Sequence, residues 1–310
     1  MNITRNWFGP NVCSYRGVFC APALGKSKWT VVAGIDLNHA GIVGYIPVEF
    51  GLLTDLALHH LNSNRFCGII PRSLSKLTRM YEFDISNNRF SGSFPRVVTT
   101  WKSIRYIDLR FNNFEGCLPP EIFEKDLNAL FLNDNHFTCT IPETLGKSTV
   151  SAVTFANNKF KGCLPRSVGE MWRLVELIFT NNELGGLPQS LSSLKKIDIL
   201  DVPHNKLTGT VLENVCKLPS LFNFTVSYNY FSEESSACVS LGRDHVVLDD
   251  TGNRVAGRTK QKLAKECQPV VSRPVDCNKN QYVAVSSYST PNSRIPKSKP
   301  LVQPHTKSKP

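Results

Sequence analysis

The chain has 310 residues, enough for one sizeable domain, with 41% apolar residues and a formal net charge of +11. The charge is uneven: residues 254–310 hold 12 Lys/Arg against 2 Asp/Glu, and residues 1–253 hold 24 against 23. No stretch has the apolar length of a membrane-spanning helix. No H-E-x-x-H, G-x-S-x-G, P-loop or dinucleotide pattern occurs, which argues against the commoner hydrolase, NTPase and dehydrogenase chemistries.

Met1 leads into NITRNWFGPNV without the apolar core of a signal peptide. Ten cysteines without a C-x-x-C pair nevertheless favour an oxidising compartment. A disulfide-rich chain with no export signal reads as a truncated or mature fragment. Residues 1–30 form a short N-terminal cap, in which Cys13 and Cys20 are placed to seal an exposed end.

From residue 31 to residue 232 one string returns every 23 or 24 residues, N-x-F/L-x-G-x-I/L/F-P. It is anchored at Asn64, Asn88, Asn112, Asn135 and Asn158, and more loosely at Asn182, Asn205 and Asn229. Apolar residues stand five and three places before nearly every asparagine, as in Phe83/Ile85, Ile107/Leu109, Leu130/Leu132 and Val153/Phe155. That alternation is a short strand with one face inward. The period is that of a leucine-rich repeat. An α/β repeat solenoid is expected, with a parallel β-sheet on its concave face and disulfide caps.

The first coil, GIDLNHAGIVGYIP, carries Ala40 where the asparagine belongs. Nine coils at about 4.8 Å each make a body roughly 40 Å long. In the seventh, Pro188 follows Asn182 by six residues rather than seven, so a local kink is expected. Residues 233–277 read as a C-terminal cysteine-rich cap. Residues 278–310 read as a basic Pro/Ser/Lys-rich tail whose partner would be a polyanion. Acidic polysaccharide fits that role better than nucleic acid, given the cysteines.

Cys216, Cys238, Cys267 and Cys277 follow the regular repeats and are expected to close the second end. Cys117, Cys139 and Cys163 recur at similar places in adjacent coils, so Cys139 can bridge to Cys117 or to Cys163 but not to both. Cys67 has no counterpart in the next coil, so at least one thiol is expected to be free or to bridge between molecules. Asn2 and Asn223 begin N-x-T glycosylation sequons.

Exposed strand residues lie four and two places before each asparagine. In the first half these positions hold Asp84, Asp108, Phe131, Arg110 and Asn133, flanked by Glu82, Tyr81, Tyr106 and Phe111, so that carboxylates and aromatics stand together. Carboxylates would steer a basic peptide and aromatics would anchor it. The plainer alternative is a solvated acidic strand edge. His59 occupies an inward position and is expected to be a half-buried core residue rather than a ligand. Neither a metal nor a cofactor is implied, and an open solenoid face makes a poor enzyme.

The segment NWFGPNVCSYRGVFC and the G-x-I-P ending of the repeat resemble plant extracellular leucine-rich repeat proteins. GLLTDLALHHLNSNRFCGIIPRS, YEFDISNNRF, LRFNNFEGCLPPEIF, VTFANNKFKGCLPRS and KECQPVVSRPVDC resemble, more narrowly, the leucine-rich repeat extensins of plant cell walls. The resemblance covers roughly residues 6–277. It implies secretion, a hydroxyproline-rich wall anchor, homodimers, and binding of small basic peptides of the rapid alkalinization class during wall assembly and cell expansion. The chain departs from that pattern in lacking a signal peptide and in its shortened coil around Glu183–Ser190. It also has Arg254 where the family usually has a cysteine, and a tail without Ser-Pro-Pro-Pro runs. Alternatives are a polygalacturonase-inhibitor-like protein, a receptor ectodomain fragment, or a copy that has lost function.

Overall fold

The computed structural model describes residues 3–241 and 247–277. An antiparallel hairpin, Val18–Ala23 with Lys26–Asp36, opens an eleven-stranded sheet in which all later strands run parallel. Those strands are three residues long, one per coil, and their register never slips. Asp36, His60, Asp84, Asp108, Phe131, Thr154, Ile178, Asp201, Thr225 and Asp249 pair in succession across the sheet. Every coil therefore places equivalent residues in one column.

The last of these strands, Val247–Asp249, makes a tenth coil inside the segment that the repeat reading gives to the cap. Its asparagine is Asn253, which accepts from Phe231 N at 3.2 Å and donates to Val226 O at 3.0 Å. The sequence hid it because Val255 stands where the motif has Phe or Leu and no proline follows, although Gly257 keeps its place with a φ of +77°.

The asparagines do the stitching. Asn112 Nδ2 donates to Ile85 O of the preceding coil at 3.0 Å and to its own Leu109 O at 3.2 Å. Its Oδ1 accepts from Phe90 N at 2.9 Å. The same pattern repeats along the column, satisfying backbone groups that the turn would leave buried and unpaired. Two residues on from five of these asparagines, Phe66, Phe90, Phe114, Phe137 and Phe160 stack in a buried spine with ring centres 6.1 to 6.5 Å apart. His59 is fully rather than half buried, lying between Phe50 and Phe83 with both ring nitrogens unpartnered.

Cys13 pairs with Cys20, Cys216 with Cys238, and Cys139 takes Cys117 of its two open partners. Two expectations are corrected. Cys277 does not close the far end; it returns to Cys163 in the middle of the solenoid. Cys267 forms no disulfide and is a buried free thiol. The other unpaired cysteine, Cys67, lies exposed near the opposite end on the strand Arg65–Gly68. Arg254 occupies the place where the resemblance puts a further cysteine.

The short seventh coil now has a physical cause. Its concave strand, Glu176–Ile178, stays in register, so the sheet does not kink there. The lost residue is absorbed by a register shift on the other side, where Cys163 faces Gly186. A side chain at Gly185 would meet Val275 Cγ2 at 2.3 Å, and one at Gly186 would meet Cys277 Sγ at 2.2 Å. The Gly-Gly pair is the seat on which the returning C-terminal segment lies.

Asn223 is half buried on the strand Asn223–Thr225, and Thr225 Oγ1 donates to its Oδ1 at 3.3 Å. Asn2 and the tail 278–310 lie outside the described residues. Among the described residues no helix is long and apolar enough to cross a membrane.

Candidate functional site on the concave face

The aspartates four places before the ladder position, which is Ala40 in the first coil, have a local reason to exist. Asp36, Asp84, Asp108 and Asp249 each accept, through Oδ1, from the backbone N–H two residues on, at 2.9 to 3.1 Å. These Asx turns bend the chain out of the strand. The D-x-x-x-N spacing is the sequence signal that would have shown it. One oxygen of each aspartate is thus structural, and the other faces outward or finds a partner.

Asp108 finds a partner. Arg110 Nε donates to both of its oxygens at 3.1 and 2.9 Å, and Arg110 Nη2 lies 2.8 Å from Oδ2. The carboxylate is buried, with 1% of its side chain exposed. This corrects the expectation of an exposed steering charge at that position. Burial, with Asp84 nearby, pushes its pKa up to about 6 against the opposing pull of Arg110. Its role is to hold Arg110, whose guanidinium lies 5.0 Å over the Phe131 ring. Phe131 in turn meets Tyr106 edge to face at 5.6 Å. Asp108, Arg110, Phe131 and Tyr106 therefore form one connected floor across the fourth and fifth coils.

Glu82 and Asp84 stay half exposed beside this floor. Glu82 Oε2 lies 3.2 Å from His60 Nε2, a partner that the sequence placed in the right column but not in the site. Asp84 also accepts from Ser86 Oγ at 2.6 Å. Asn133 donates to Asp134 Oδ2 at 2.7 Å, and its own Oδ1 is shielded without a hydrogen-bond partner. Tyr81 and Phe111 stand at the margins, 44% and 50% exposed.

Phe111 has a φ of +53°, the left-handed conformation shared by each residue just before a ladder asparagine. Most coils put Asn, Asp, Ser or His there. Asn and Asp tolerate that conformation best, and a bulky aromatic is strained in it. Strain of this kind persists where something else needs the side chain. Of the nine expected site residues, Tyr106, Asp108, Arg110 and Phe131 are joined by side-chain contacts, and Glu82 and Asp84 stand on the neighbouring strand. Among the described residues no group of three or more His, Cys, Asp or Glu is placed to hold a metal.

A parallel sheet with one strand per coil, an asparagine ladder and four disulfides among the described residues define a plant-type leucine-rich repeat solenoid. The leucine-rich repeat family model matches residues 103–124. The structure resembles PEPR1-AtPEP1 with a TM-score of 0.72 and 26% identity, over 82% of this chain and 39% of that one. It also resembles the Arabidopsis receptor kinase HAESA in complex with the peptide hormone IDA and the co-receptor SERK1. There the TM-score is 0.64 and the identity 26%, over 72% of this chain and 38% of that one.

In sequence the chain is 60% identical over 316 residues to pollen-specific leucine-rich repeat extensin-like protein 3 of Arabidopsis thaliana, covering 94% of this chain and 44% of that protein. It is 80% identical over 133 residues to pollen-specific leucine-rich repeat extensin-like protein 1 of the same plant, covering 43% of this chain and 14% of that protein. The chain belongs to the leucine-rich repeat extensin-like family. It spans less than half the length of the curated relatives it matches.

Proposed function

We propose that the chain is a non-catalytic cell-wall binding protein whose concave face takes a small basic secreted peptide of the rapid alkalinization class. In this reading the complex regulates wall assembly and cell expansion. The observation that carries it is the coincidence, in the third to fifth coils, of two half-exposed carboxylates with an aromatic floor and a strained, exposed Phe111. Glu82 and Asp84 steer the cationic ligand, and Tyr81, Phe111 and Phe131 supply the apolar contact. A solved relative of the fold, HAESA, is described with a peptide hormone, which supports a peptide as the ligand. Wall placement rests on the extensin-like relatives and on the disulfides. Homodimers, glycans at Asn2 and Asn223, and contact of the basic tail with acidic polysaccharide complete the reading.

Calorimetric titration of the secreted chain with a panel of basic rapid alkalinization peptides tests it. Saturable one-site binding, absent with a charge-reversed peptide, supports the proposal. Folded protein that binds none of the panel removes it.

A further inference from the structure

The rim that leads into the sheet carries an aromatic group that the concave face does not use. Trp172 is 67% exposed in the loop between the turn Arg166–Glu170 and the strand Glu176–Ile178. Because Glu176 pairs with Ile199, Trp172 and Arg173 stand one coil before Lys195 and Lys196. The Arg173 guanidinium carbon lies 5.6 Å from the centre of the indole, and Lys196 Nζ lies 5.4 Å from it. Lys195 Nζ, on the same rim, donates to Ser192 O at 2.9 Å. All three cations are exposed, and among the described residues none of them enters an ion pair.

An exposed cation–aromatic contact contributes little by itself, so it does not explain why a large apolar ring is left in water. A ligand that matches this rim needs a flat apolar face for the indole. It also needs negative charges at its edge, repeating at about the 4.8 Å spacing of the coils. A linear chain of uronic acid sugars has both: the C–H face of each pyranose ring and one carboxylate per residue. Single-stranded nucleic acid offers stacking and charge as well. The choice between them rests on the proposed wall placement, which the four disulfides fit and in which acidic polysaccharide is the available polyanion.

We propose that Trp172, with Arg173, Lys195 and Lys196, binds a linear uronic acid polysaccharide. Its residues are different from those of the concave peptide face and from those of the basic tail sequence. A sugar ring lies on the indole while its carboxylate and that of the next residue reach Lys196, Arg173 and Lys195.

The test is titration of the full chain with de-esterified oligogalacturonate. Trp172→Ala leaves the net charge and the tail unchanged, and its exposed position spares the core. It should weaken binding roughly ten-fold. Lys196→Gln should weaken it several-fold, and Lys102→Gln, at the rim position equivalent to Trp172 three coils earlier, should leave it unchanged. Fully methyl-esterified oligomer should bind weakly and be indifferent to Trp172→Ala. Equal binding by the parent and by Trp172→Ala, with unchanged circular dichroism, would overturn the proposal and assign the polymer to the tail. So would tighter, Trp172-dependent binding of polyuridylate, which would make the rim a nucleic-acid platform.

Discussion

His59 should make the stability of this protein fall with acid in a way that one substitution removes. Its ring is fully buried between Phe50 and Phe83 with neither nitrogen bonded, and burial lowers its pKa from 6.5 to about 3. The folded state therefore keeps the neutral imidazole across the window from pH 6.5 down to about 3, while the unfolded chain takes up a proton. The unfolded state binds more protons there, so stability is fully present above pH 6.5 and is lost as pH falls. At pH 5 the loss from this one group is about 2 kcal/mol, from a linkage of 1.36 kcal/mol per unit over the 1.5 units below 6.5. Asp108, with its pKa raised to about 6, works in the opposite direction over part of the same range. The measurement is therefore a difference. Urea unfolding of the parent and of His59→Leu at pH 7.5 and pH 5 isolates His59, because Asp108 is common to both. His59→Leu should lose about 2 kcal/mol less than the parent on acidification. It should also be at least as stable at pH 7.5, since two orphaned nitrogens are gone. Parallel losses in the two proteins would mean that the ring is not held neutral in the core.

Phe111→Asn should move stability and binding in opposite directions. Asn relieves the left-handed strain, raising stability by about 1 kcal/mol in thermal unfolding, while calorimetry should show weaker capture of a basic peptide. The C-terminal return should likewise be visible in thiol counts. The native chain should show one rapidly titrating thiol, Cys67, and a second, Cys267, only after unfolding without reductant. Gly186→Val fills the seat of Cys277 and should expose two more. Cys277→Ser should cost up to about 5 kcal/mol, the chain-entropy value for opening a loop of this length.

The ladder and the core were legible because each coil solves the same packing problem with the same residues. Once Asn112 and Phe114 are recognised, Asn135 and Phe137 follow. The tenth coil was not legible because Val247–Asp249 and Asn253 keep the strand and the ladder, and Gly257 keeps its place, without the Phe or Leu and the proline that mark the repeat. The Cys163–Cys277 pairing was hidden for a different reason: 114 residues separate the partners, and spacing within the repeat says nothing about a segment that doubles back. The two glycines of the short coil held the clue, since a solenoid loses side chains where something else must pass.

On the concave face the columns could be read from the sequence, but the division of labour within them could not. Asp84 and Asp108 are equivalent in spacing, yet Asp108 is buried under Arg110 while Asp84 stays half exposed. That difference depends on which residue stands two places later, Ser86 or Arg110, and on Phe131 in the next coil receiving the guanidinium.

The measurement that bears most directly on the account is the affinity of a basic rapid alkalinization peptide for the parent chain and for a Glu82→Gln/Asp84→Asn double variant. Asparagine at 84 retains the Oδ1 acceptor of the Asx turn, so the variant removes charge and leaves the turn in place. The account predicts binding at least ten-fold weaker in the variant, with the difference shrinking as salt is added. Equal affinity in both proteins at low salt would contradict it and would place the peptide away from the acidic half of the concave face.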